Sequence, residues 1–88
     1  MKVRKKPIVV DAWQLDHMAY DVPEWVREAW RISSGRLVFD YYRWQVATYE
    51  GVMTAFDGDY LIKGVKGELY PCREDVFEET YEIVEEVE

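Results

Sequence analysis

Residues 57–72 read DGDYLIKGVKGELYPC, and this stretch decides the fold class. It places glycines on either side of two short apolar runs, with an aspartate on each side of the first glycine. Glycine adopts positive φ without steric cost, and aspartate side chains accept backbone N–H groups, so both are typical of tight turns. The stretch therefore predicts a β-hairpin that is closed by a sharp bend.

The same alternation continues upstream of this hairpin. Short runs of period two, separated by Gly and Asp turns, favour an antiparallel meander. The predicted strands are residues 37–41, 44–49, 52–56, 60–63 and 68–70. A further first strand is predicted over residues 3–15, where β-branched and aromatic side chains are frequent. Pro71 is expected to end the last strand, because proline cannot donate to a ladder.

Two helices complete the pattern. Asp21 is predicted to cap the first, with Pro23 in its first turn and Glu24 in the capping-box position. Gly35 suits the left-handed position after that helix. Apolar residues recur at helical spacing on one face of the segment, at Val22, Val26, Ala29 and Trp30. A short second helix is predicted over residues 73–81, with Phe77 and Tyr81 one turn apart.

These elements predict one small α+β domain spanning residues 1–88. The expected order is β-α-β-β-β-β-α, in which an amphipathic helix packs on a single antiparallel sheet and a short helix follows at the C-terminal end. A chain of 88 residues has a thin core, and 16% of its residues are aromatic. Some of these rings are therefore expected at the surface, where they either form a partner face or half-cover the sheet.

Charge and composition narrow the function classes. The formal net charge is −7, which disfavours a dedicated nucleic-acid binder because phosphate contacts need clustered cations. The single cysteine, Cys72, excludes an internal disulfide and a cysteine-based zinc cluster. We find no apolar run that approaches a membrane span or a signal peptide. The sequence thus predicts a cytoplasmic protein.

Few residues of the chain are candidates for catalysis or for metal binding. His17 is the only histidine, so it is expected to be a solvated side chain rather than a metal ligand. Cys72 lies before a helix but has only His17 as a possible base. Asp57 and Asp59 flank Gly58 and are read as turn residues, not as a cation site. Hence no catalytic residue, metal or cofactor is predicted.

Two further features suggest binding surfaces. Exposed aromatic side chains of the meander, Tyr41, Tyr42, Trp44 and Tyr49, are the candidate partner face. Lys63 and Lys66, beside a glycine loop that lacks the full phosphate-binding spacing, are candidates for contact with an anion.

Three segments resemble a family of small, functionally uncharacterised bacteriophage and prophage proteins. They are KKPIVVDAWQ at residues 5–14, YEGVM at 49–53, and GDYLIKGVKGELYPCREDVFEETYE at 58–82. The resemblance covers most of the chain and is looser over residues 21–32 and 36–44. It implies a phage origin and expression in the cytoplasm of a bacterial host, and it carries over no catalytic residue.

We therefore expect a non-enzymatic accessory protein that binds a host or phage macromolecule, with a protein partner or a second copy of itself. A variant of this hypothesis is a DNA mimic that uses the C-terminal acids. The alternative is an oligomer that sequesters a nucleotide or another small molecule near Lys63 and Lys66. A small enzyme that uses Asp57, Asp59 or Cys72 is the least favoured hypothesis.

Overall fold

A computed structural model describes residues 1–4 and 6–85. Its elements run in the order β1 (Asp11–Gln14), α1 (Glu24–Trp30), β2 (Leu37–Asp40), β3 (Arg43–Thr48), β4 (Gly51–Ala55), β5 (Tyr60–Lys63), β6 (Leu69–Cys72) and α2 (Glu74–Thr80). The predicted α+β class is confirmed. Five strands follow α1, and each overlaps one of the five strand segments predicted there; the predicted order β-α-β-β-β-β-α contains one strand too few.

The strands form two sheets rather than the predicted single one. One antiparallel sheet has the order β2-β3-β4 and is a meander, as expected. The other has the order β1-β5-β6, with Trp13 opposite Leu61 and Leu61 opposite Pro71. The meander stops after β4 because the turn at residues 56–59 bonds to the end of β1. Leu15 N–H donates to the Asp59 carbonyl at 2.8 Å, and Gly58 N–H donates to the Leu15 carbonyl at 2.9 Å.

Two strand boundaries differ from prediction for clear reasons. β1 begins at Asp11, not residue 3, because its partner β5 ends at Lys63 opposite Asp11 and the chain then turns away at Gly64. The expectation that Pro71 ends the last strand is wrong. Pro71 lies within β6, and β6 is an edge strand, where a missing N–H costs no ladder bond on the open side.

The first helix is shorter than predicted. Its N-cap is Pro23, and no side-chain hydrogen bond caps it, so the predicted Asp21 cap is wrong. A residue that precedes proline is restricted to extended conformations, so Val22 cannot join the helix and Asp21 lies too far from its start. The helix ends at Trp30, with Arg31 as its C-cap, well before Gly35, which adopts positive φ in the later turn.

The core lies between the two sheets and α1. The predicted helix face is confirmed at Val26 and Ala29, which are buried, and at Val22. The largest fully buried side chain is Trp44. The other buried side chains of this core are Leu15, Leu37, Val46, Ala55, Leu61 and Leu69.

Aromatic stacking attaches α2 to sheet β1-β5-β6. Phe77 stacks on Tyr60 with ring centroids 3.7 Å apart, and Tyr81 stacks on Phe77 at 5.0 Å. The predicted pairing of Phe77 and Tyr81 along the helix is therefore confirmed. In the described part of the chain, neither helix has the length and apolar character needed to cross a membrane.

Candidate functional site

The β2–β3 hairpin turns through two consecutive tyrosines. Asp40 pairs with Arg43, which leaves Tyr41 and Tyr42 as a two-residue loop. Both have positive φ, at 52° and 62°, as a type I′ turn requires. We call these two residues the tyrosine turn. Their side chains are 82% and 85% exposed, so both rings point away from the body of the protein.

This turn contradicts local sequence preference. Type I′ turns favour Asn-Gly, Asp-Gly or Gly-Gly, because a side chain at positive φ meets its own backbone. The cost is roughly 1–2 kcal/mol per residue for a left-handed conformation. Strained backbone of this kind often marks a position whose side chain serves a function. The tyrosine turn is accordingly our leading candidate site.

Trp44 does not belong to this surface, and its prediction as a partner contact is wrong. Its exposed fraction is 0%. Side chains alternate along β3, and the face of the sheet that holds Trp44 also holds Val46, which packs into the core. The Trp44 ring contacts Trp30 at a centroid distance of 4.6 Å and Phe39 at 5.0 Å.

Tyr49 is exposed but lies at the opposite end of β3 from the tyrosine turn. The six residues of β3 separate the two sites by about 20 Å at roughly 3.3 Å per residue. Tyr49 lines a shallow groove of about 350 Å³ between the β3–β4 turn and β6. Met53, Tyr70 and Pro71 also line it. The predicted aromatic face is thus two separate surfaces.

The β5–β6 loop, which follows Lys63 and contains Lys66, bonds to a carboxylate of the chain itself. Lys63 is half-buried and Lys66 is exposed. The Lys66 backbone N–H donates to a Glu68 carboxylate oxygen at 2.9 Å, and the same carboxylate lies against Gly64. The Lys66 backbone N–H is therefore already bonded to a carboxylate of the chain itself. This arrangement disfavours a phosphate site at the loop.

Asp57 forms a junction between three parts of the chain. Its Oδ1 accepts the indole N–H of Trp44 at 2.8 Å and the backbone N–H of His17 at 3.1 Å. Its Oδ2 pairs with Nδ1 of the His17 ring. Burial acts to raise the pKa of Asp57, but the hydrogen bonds from Trp44 and His17 outweigh it and hold that pKa below its ordinary value.

His17 is therefore not the solvated side chain that the sequence predicts. Its ring is half-buried and stacks on Phe39, with centroids 4.3 Å apart and planes 7° from parallel. Sequence reasoning missed this contact because forty positions separate His17 from Asp57. Only the pairing of β1 with β5 brings the two together.

Asp59 has the turn role that was predicted. Its carboxylate accepts the backbone N–H of Phe56 at 3.0 Å and that of Glu74 at 3.2 Å. Gly58, between the two aspartates, has a φ of 98°, where a side chain is disfavoured.

Cys72 lies at the end of β6 and is half-buried. Burial raises the pKa of its thiol, and the Asp59 and Asp75 carboxylates raise it further. A thiol in such surroundings is a poor nucleophile, because the reactive species is the thiolate. The environment of Cys72 thus disfavours the hypothesis of a cysteine enzyme.

No protein-family model, curated protein or solved structure matches this chain. The resemblance to phage proteins therefore stays a prediction, and so do the non-enzymatic role and the bacterial cytoplasm.

Proposed function

We propose that this protein is a non-enzymatic binding module that recognises a protein partner of a phage or its bacterial host through the tyrosine turn. The observation that carries the proposal is the pairing of positive φ with high exposure at Tyr41 and Tyr42. The backbone is strained at these two residues, yet neither tyrosine ring is buried against the rest of the protein. A partner that covers both rings would bury them.

Tyrosine suits such a role for physical reasons. It presents a large amphipathic area, and only a few of its bonds must be immobilised on binding. Tyrosine is also among the residues that most often dominate interface energies. A hairpin with a two-residue loop holds its tip firmly, so the ordering cost of binding is low.

A protein partner is favoured over a nucleic acid. The net charge of −7 opposes contact with phosphates, and the turn is flanked by one acid and one base, Asp40 and Arg43. The alternative of a nucleotide-sequestering oligomer has less support, because Glu68 already bonds the loop beside Lys66.

The test compares variants that separate folding from binding. In Y41N/Y42G the turn has the residues that its geometry prefers, while both rings are lost. Wild-type protein, Y41N/Y42G and the control Y20N would each be immobilised and exposed to lysate of a bacterial host. Tyr20 is a suitable control because it is fully exposed and lies outside the tyrosine turn.

We expect wild-type protein and Y20N to retain the same stoichiometric protein, and Y41N/Y42G to lose it. With the captured protein purified, the loss should be roughly 30-fold in affinity, equivalent to about 2 kcal/mol for a dominant interface residue. Equal capture by Y41N/Y42G would contradict the proposal. A wild-type preparation that retains no protein would also count against it.

A further inference from the structure

Three side chains from two distant segments converge beside the β4–β5 turn. They are Asp16, His17 and Asp57, which we call the Asp–His cluster. One potential ligand atom from each lies within 4.8 Å of the other two. The donor set is one imidazole nitrogen and two carboxylate oxygens. The imidazole distinguishes it from a purely acidic cluster, because magnesium and calcium prefer oxygen ligands, whereas zinc and neighbouring transition metals take imidazole readily.

The surrounding structure holds Asp57 and His17 in place. Trp44, which is fully buried, and the His17 backbone both donate to Oδ1 of Asp57, so Oδ2 is directed at the His17 ring. Stacking on Phe39 fixes the plane of that ring. Contacts that orient a ligand in this way are typical of metal sites, where the outer groups set ligand direction.

Asp16 completes the arrangement from the exposed side. One of its oxygens, Oδ1, accepts the Met18 backbone N–H at 2.9 Å, which leaves its second oxygen for a ligand. Asp16 is exposed and His17 is half-buried, so an ion can enter from solvent. Water would fill the coordination positions that the three side chains leave open.

We propose that Asp16, His17 and Asp57 bind one divalent transition-metal ion, for which Zn²⁺ is the test case. The ion replaces the hydrogen bond between His17 Nδ1 and Asp57 Oδ2, and any proton held between these atoms passes to solvent. The bound ion ties the segment after β1 to the β4–β5 turn. This proposal does not depend on a role of the tyrosine turn in binding.

The decisive variant is D16N. The asparagine oxygen can still accept the Met18 N–H, and the bonds of Asp57 to Trp44 and His17 are untouched, so the variant is expected to fold. D40N is the matched control, because Asp40 is an exposed aspartate at the β2–β3 hairpin. Both would be compared with the wild-type chain after treatment with a chelator.

Zn²⁺ titration by calorimetry should give one equivalent for the wild type and D40N. Affinity should fall roughly tenfold or more in D16N, since removing even an outer contact of a metal site has an effect of that order. Zn²⁺ should also raise the unfolding midpoint of the wild type, because it binds the folded state. Absence of binding to the wild type, or equal binding by D16N and D40N, would overturn the proposal. As a second readout, Co²⁺ should give a visible absorption band in the wild type that H17Q lacks.

Discussion

The indole N–H of Trp44 donates to Oδ1 of Asp57 across 2.8 Å, so the largest fully buried side chain is bonded to a surface turn. The same carboxylate oxygen accepts the backbone N–H of His17. One aspartate in the β4–β5 turn thereby connects this turn to β3 and to the segment after β1.

Replacing Asp57 by alanine should destabilise the fold by about 2 kcal/mol, because the buried Trp44 N–H loses its acceptor. D57N should cost less, since an amide oxygen can accept the same bond. Urea unfolding followed by tryptophan fluorescence would measure both. If D57N were as unstable as D57A, the pairing of charge with His17 would matter more than the bond to Trp44.

The variant Y41N/Y42G should be more stable than wild type by about 1 kcal/mol, because it removes side chains from left-handed positions. The measurement is the shift of the unfolding midpoint with unchanged denaturant dependence. Y20N should leave the midpoint where it is. A loss of stability in Y41N/Y42G would show that the two rings stabilise the hairpin through contacts of their own.

Cys72 should react slowly with iodoacetamide at pH 8 compared with the same chain in denaturant, because the folded state raises its thiol pKa. Because the pKa of Cys72 is higher in the folded state, protonation of this thiol stabilises the fold. That stabilisation is fully present below the ordinary pKa of 9.0 and is lost as the pH rises through the higher pKa of the folded state.

D75N supplies the control for that experiment, since Asp75 contributes to the upward shift of the Cys72 pKa. It should react faster than wild type. If the folded wild type were alkylated at a lower pH than the unfolded chain, this description of Cys72 would be contradicted. A mechanism that uses the Cys72 thiolate would then be favoured.

Alanine at Gly67 should cost about 1–2 kcal/mol, because Gly67 has a φ of 83° in the β5–β6 turn. Alanine at Gly64 acts differently. A Cβ there would clash with Oε2 of Glu68, so that flexible side chain must move away from the Lys66 N–H. Its cost should be about 1 kcal/mol, the value of one hydrogen bond. Chemical denaturation would measure the free energy of unfolding of both variants. A G64A variant less stable than G67A would contradict this prediction.

Local patterns predicted much of the fold. The helical spacing of Val26 and Ala29 located the buried face of α1, and Gly-containing turns placed β4, β5 and β6 to within about a residue or two. The split into two sheets could not be predicted in this way. It depends on the pairing of Asp11 with Lys63, and no local period indicates which distant strand a segment will join.

The candidate sites were harder to predict than the fold. Tyr41 and Tyr42 are predicted as surface residues, but the predicted strands 37–41 and 44–49 place the turn one residue too late, because no glycine or asparagine indicates its position. Trp44 was assigned to the wrong face, since an aromatic residue next to that turn fits either side of a strand. His17 had no visible partner in sequence, because Asp57 reaches it only in the folded chain.

The most direct test of the tyrosine turn as a binding site is photo-crosslinking from position 41. A photoreactive phenylalanine derivative would replace Tyr41 in the full chain, and position 20 would carry the same group as the control, both in host lysate. We predict one discrete crosslinked protein from position 41 that position 20 does not give. The same crosslinks from both positions, or none from position 41, would contradict it.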